Sequence, residues 1–411
     1  MALKRSLRTR RRHPSAEEAS GKANPAAVRD AIVSPSYAAR LAALRQRAPL
    51  AALAIVALFA GLWGGLIRLG LSLPSAVTSA AELHGPLMAL GFLGTLISLE
   101  RAVAIARRWA YVAPLAAGGG ALAALAGAPG ALGPALLTLA GCTLLTAHLA
   151  IHRLQPSAHN AVMGLGAVAW CAGTALWLAG ADVSRFAQLL AGFLVLTIVG
   201  ERLELTRTVR HPARVRRLLI AAVALFGVGL ATSIVAERVG LRIAGAGLLA
   251  QAAWLGRYDV ARRTVRFGAL TRFMALALLA GYLWLGAGGL LWGAFAATSD
   301  GPAYDASLHA VFLGFVMSMV FAHAPVIVPA VLRVGLPFRR SFYAHLGLLH
   351  LSLALRLVGG DLAGSSVLWQ LGGILGEIAI LLFLVATAAA LFADRRRRTS
   401  NPPRRAPAPV G

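Results

Sequence analysis

Long apolar runs alternate with short basic connections along most of this chain, and this alternation limits what it can fold into more than any other feature. Crossing ~30 Å of hydrocarbon at ~1.5 Å per residue takes about 20 apolar residues. Twelve runs approach that length: 49–71, 84–99, 111–128, 133–151, 159–179, 185–200, 218–236, 241–256, 271–296, 305–330, 342–358 and 367–392. Hydrophobic residues make up 58% of the chain and charged residues only 13%, too apolar a balance for an ordinary water-soluble domain. Within hydrocarbon every backbone polar group must be satisfied inside its own segment, so the expected fold is an all-α integral membrane protein of twelve transmembrane helices. The first run follows about 48 polar and basic residues and is too long for a cleavable signal. It is expected to be a retained span.

Forty Lys and Arg against fifteen Asp and Glu give a formal charge of +25. On the two sides implied by twelve spans, the side of the termini takes 35 of the forty, and Arg68, Arg185, Arg238, Arg242 and Arg356 fall on the other. One missed or invented span scrambles that division, so it predicts cytoplasmic termini and a multi-pass protein of a bacterial-type inner membrane. Residues 1–48 and 394–411 are basic and lack apolar periodicity, and they are expected as disordered arms flanking a membrane domain at 49–393. Nothing aromatic interleaves with their arginines, so anionic lipid headgroups suit them better than nucleic acid. Cys142 and Cys171 both lie in apolar runs, which excludes a disulfide framework and a Cys-rich zinc site. Phosphate-binding loops, HExxH and GxSxG are absent in any usable context.

A weak internal repeat recurs every four helices: GFLGTLISLER at 91–101, GFLVLTIVGER at 192–202 and FLGFVMSMVFAH at 312–323. These are helices 2, 6 and 10, an arrangement of three arcs of four helices.

Ionisable groups within spans are costly and therefore default candidates for function. His84 opens helix 2 and His309 lies one turn into helix 10, both at the non-cytoplasmic level. Two imidazoles at one depth on two helices meet the need of a six-coordinate haem iron. Gly85, Gly91, Gly94 and Gly314 offer thin neighbours for a porphyrin, and Arg68 or Arg356 could pair with its propionates. The plainer reading of each His is an interfacial or interhelical hydrogen bond.

The run His84-Gly85-Pro86-Leu87-Met88 resembles the opening of helix 2 in subunit I of the haem-copper oxidases, whose His is an axial ligand of the low-spin haem. In that family helix 10 supplies the opposite ligand, the place His309 takes here. The resemblance implies haem b and the same three-arc fold. Helix 6 has no His, helix 7 has no His pair, and Val311 stands where the oxidases carry a second His on helix 10. The copper-B and high-spin haem ligands therefore have no counterpart, and oxygen reduction is not expected. The chain is also similar to the NnrS-type membrane haem and copper proteins. That likeness implies electron transfer or a response to nitric oxide or another gas, with a redox partner or a quinol, and leaves any other haem-dependent oxidoreductase activity open.

A second constellation lies toward the cytoplasmic side: His148 and His152 at i, i+4 on helix 4, His159, His323 and His345, with copper as the candidate metal. Interfacial ion pairs and snorkelling histidines are the alternative there. Glu377, about ten residues into helix 12, is a proton-relay candidate or the partner in an interhelical hydrogen bond. Twelve spans with internal repeats also describe secondary transporters, whose midplane site would lie near helix 12.

Overall fold

The structure is a computed structural model that describes residues 37–74, 79–128, 131–206, 209, 211–296, 300–332 and 336–400. Among them every regular element is helical, and eleven helices are long and apolar enough to cross a membrane. The chain is thus an all-α, multi-pass membrane protein. We number the long helices α1 (Tyr37–Arg68), α2 (His84–Ile105), α3 (Val112–Leu125), α4 (Leu132–Leu154), α5 (Ala158–Leu178), α6 (Val183–Leu205), α7 (Ala213–Val235), α8 (Glu237–Tyr258), α9 (Ala269–Phe295), α10 (Pro302–Val331), α11 (Phe342–Leu362) and α12 (Ser366–Ser400).

The eleven leave out α3, whose 14 residues follow a 3₁₀ turn at Arg108–Tyr111. The apolar run expected over 111–128 does form a helix, but Gly127 takes a left-handed φ of 64° and ends it early. The arms also differ from expectation. Helix α1 begins at Tyr37, inside the segment expected to be disordered, because YAARLAAL is rich in strong helix formers. Helix α12 runs through Arg395–Arg398 to Ser400, where cations suit the negative end of a helix dipole. The rest of the two arms, 1–36 and 401–411, lies outside the described residues.

Helix α6 sits at the centre: 83% of its apolar window is buried, against at most 61% for any other span. Around it, α5 packs along α6, α7 along α8 and α8 along α9. The α7–α8 contact is backbone on backbone. A Cβ on Gly229 or Gly240 would run into Ala244 N or Ser233 N respectively, so only glycine permits the approach. Replacing Gly240 by Leu is expected to force the pair apart and lower the midpoint of thermal unfolding in detergent by several degrees, read by size exclusion after heating.

Three helices are not α-helical throughout. Residues Leu87–Gly94 of α2, Ala310–Val316 of α10 and Leu355–Leu362 of α11 form wide π-helical turns. The first two begin three residues after His84 and one after His309. Wide turns of this kind collect at functional sites.

Candidate functional site

A cavity of about 930 Å³ opens at one end of the bundle and reaches down to Leu93, Met317 and Ile380. Its mouth is formed where α1 ends at Arg68, where α2, α6 and α10 begin, and by the connection between α11 and α12. Five predicted residues line this one space: His84, His309, Arg68, Arg356 and Glu377. Its size is at the upper end of the ~300–1,000 Å³ common for ligand and cofactor sites.

Both imidazoles are held through the same nitrogen. His84 Nδ1 lies 2.7 Å from the Gly61 carbonyl oxygen of α1. His309 Nδ1 lies 2.9 Å from the Asp305 carbonyl oxygen and 3.2 Å from Asp305 Oδ1. An N–H bonded to oxygen at Nδ1 fixes the neutral tautomer, with the lone pair on Nε2, which is the state a ligating His needs. In the first turn of α10, Asp305 is four residues before His309 and so shares its face.

Asp305 is itself held firmly. Arg356 donates from Nε to Oδ2 (2.9 Å) and from Nη2 to Oδ1 (3.0 Å), and Trp369 Nε1 donates to Oδ2 at 3.2 Å. The Arg356 guanidinium also stacks 5.0 Å over the Trp369 ring. Three helices, α10, α11 and α12, are thereby tied behind His309. The geometry changes the part expected of Arg356: two of its donors are committed to Asp305, so it acts mainly on the carboxylate behind His309. Arg68 is the exposed cation at the mouth.

Glu377 is at mid-helix, as expected, and faces this space. The position a Cβ on Gly65 would take is 2.6 Å from Glu377 Oε1 and 3.1 Å from His84 Cε1, so carboxyl and imidazole meet over a bare glycine. Glu377 Oε2 is buried without a hydrogen-bond partner. Glu82, Asp182, Asp300, Asp305, Asp361 and Glu377, six of the fifteen carboxylates in a chain of charge +25, line the cavity.

The thin neighbours expected from α2 and α10 are mostly elsewhere. Of the four glycines, only Gly85 lines the space. Gly91 faces Ala57 and Ala121, Gly94 faces Trp170, and Gly314 faces Trp284. The bare walls are Gly65 of α1, Gly360 of α11, and Gly373 and Gly376 of α12.

The inner histidines do not come together as a site. Among the described residues no group of three or more His, Cys, Asp or Glu is placed to hold a metal. His148 Nδ1 pairs with Asn160 Oδ1 at 2.9 Å, and Asn160 Nδ2 donates back to the His148 carbonyl at 2.8 Å, a closed buried pair. His159 Nε2 lies 3.3 Å from Ser157 Oγ and 3.8 Å from Glu204. His323 Nδ1 bonds the Met319 carbonyl at 2.7 Å. The buried His345 stands among Phe273, Phe321, Phe342 and Phe383 with neither ring nitrogen bonded, and His152 Nδ1 is buried without a partner. The Glu-Arg pairs of the repeat are joined to each other, Arg101 Nη2 reaching Glu201 at 3.2 Å.

No curated protein matches the chain. A family model covers residues 47–392, from the last basic residue before the first span through almost the whole of the last. The chain therefore belongs to the family described as a domain of unknown function, DUF8744.

Proposed function

We propose that the cavity holds haem b between His84 and His309 and that the protein works in electron transfer. The observation that carries this reading is the matched pair of imidazoles lining one cavity, each fixed at Nδ1 by a main-chain oxygen and left with Nε2 for a metal. The cradle also fits a flat ligand, since Gly65 and Gly373 stand where a side chain would fill the space.

Bound there, the group supplies one-electron exchange at iron. The chain's own residues do the rest. His84 and His309 give lone pairs from two helices, and Asp305, held by Arg356 and Trp369, keeps the His309 ring in its tautomer and orientation. Arg68 offers the mouth a positive charge for propionates, and Glu377 offers a proton-carrying carboxyl beside His84 as the proposed relay. With both axial positions taken by imidazole, a gas such as nitric oxide would have to displace a ligand, which favours electron transfer over gas binding. Quinol or a soluble carrier is the redox partner in this reading. Twelve spans, both termini in the cytoplasm, a three-arc arrangement and residence in an inner membrane complete the proposal.

The test is a visible spectrum with iron analysis on protein purified from haem-replete cells. The expected result is a Soret band with sharp reduced α and β bands and one haem per chain. Asp305→Ala should weaken haem retention about 10–100-fold, the usual cost of removing the support behind a ligand. Colourless protein overturns the reading. Substrate-driven uptake into vesicles by that colourless protein would favour a carrier, for which the mid-span Glu377 in the cavity wall is the supporting observation.

A further inference from the structure

At the end of the bundle opposite the cavity, two connections are fastened to each other. The α6–α7 connection brings His211 Nε2 to 3.1 Å from the Tyr258 carbonyl at the end of α8, and the His211 ring meets Trp254 and Tyr258 edge-on. The α8–α9 connection is fixed by Asp259, which is wholly buried. Arg202 of α6 donates to it from Nε at 2.9 Å and from Nη2 at 2.7 Å, and the Ala261 backbone N–H donates to Oδ1 at 2.7 Å. Asp259 is the single carboxylate in residues 206–236 and 257–299, and it is spent entirely inside.

Outside the platform that this makes, Arg214, Arg216, Arg217, Arg257, Arg262, Arg263, Arg266 and Arg272 are all exposed. No acidic side chain is available in either connection to balance them. Phe267 and Leu218, 61% and 58% exposed, stand among them. Fixed guanidinium groups beside exposed apolar side chains, at the ends of spans, occupy the depth of phosphate headgroups. A nucleic acid would leave the apolar members in water.

We propose that the joined α6–α7 and α8–α9 connections are a binding surface for anionic phospholipid, with Arg262, Arg263 and Arg266 holding the phosphate and Phe267 entering the acyl boundary. The binding is a property of this fixed surface and exceeds the general attraction of a basic membrane face. It is independent of what fills the cavity.

The experiment uses the full chain in phosphatidylcholine vesicles carrying phosphatidylglycerol as the minor component, with spin-labelled versions of each lipid in turn. Wild type should immobilise phosphatidylglycerol in preference to phosphatidylcholine, and added salt should reduce the preference. The R262Q/R263Q/R266Q variant should lose roughly tenfold in that preference, while R262K/R263K/R266K keeps most of it and shows that the chain still folds. R107Q/R108Q/R153Q, which thins the same face elsewhere, should leave it intact. An unchanged preference in the Gln variant of the proposed surface, an equal loss in the control, or abolition by millimolar inorganic phosphate each overturns the proposal.

Discussion

Replacing either His84 or His309 by Ala should abolish the low-spin haem spectrum, leaving pigment-free protein or a weakly held, five-coordinate haem with a shifted Soret band. The two changes are expected to act alike because the two imidazoles stand on opposite walls of one cavity and are prepared in the same way. The cost to folding should be small, since each ring faces open space on its Nε2 side and only one hydrogen bond is lost. His148→Ala gives the opposite pattern. It opens the reciprocal pair with Asn160 and leaves a buried amide unsatisfied, at about 1–3 kcal/mol, while the spectrum stays. Spectrum and thermal midpoint, measured on the same samples, separate the two cases. A full spectrum retained by both His84→Ala and His309→Ala would remove the haem from this cavity.

The largest effect on stability is expected from Asp259→Ala. Arg202 is 3% exposed and Asp259 fully buried, so the substitution strands a buried guanidinium and also removes the acceptor for the Ala261 N–H. Removing one member of a buried ion pair costs about 3–5 kcal/mol. Replacing both members by apolar residues of similar size, Arg202→Met with Asp259→Leu, should recover most of that loss because no charge is then left behind. Heating in detergent followed by size exclusion reads both. A double variant no more stable than Asp259→Ala would show that the bridge contributes more than charge balance.

How far the sequence reaches can be seen in particular residues. The depth of His84 and His309 is legible because basic residues mark one face of a membrane protein and length sets the rest. Glu377 is legible as a mid-span carboxyl by counting residues into its run. What the sequence hides is which helices touch. Gly65 matters because α12 brings Glu377 over it, and Arg356 matters because α10 brings Asp305 to it. Asp305 itself was within reach, being one turn before His309 on the same face. Gly91, Gly94 and Gly314 mislead because a uniform 3.6-residue period was applied through segments that turn more widely. The inner histidines looked like a cluster by depth, whereas their partners, Asn160 for one and a ring of phenylalanines for another, disperse them. Ser79–Glu82 and Ala261–Thr264, single turns of helix between spans, are too short for any periodicity to announce.

The widened stretch in α2 has a consequence for how this family can tolerate insertions and deletions. Removing one residue from Leu87–Gly94 would let the segment relax to ordinary winding, yet it would swing His84 about 100° around the axis relative to everything downstream. Thr95, Ser98 and Leu99 would hold their places in the packed half while the imidazole left the cavity. The irregular stretch thus works as a phase adjuster between two halves of a single rod, one half aimed at a chamber and the other at neighbouring rods. Length in these seven or eight positions should be more tightly kept than the identity of the side chains.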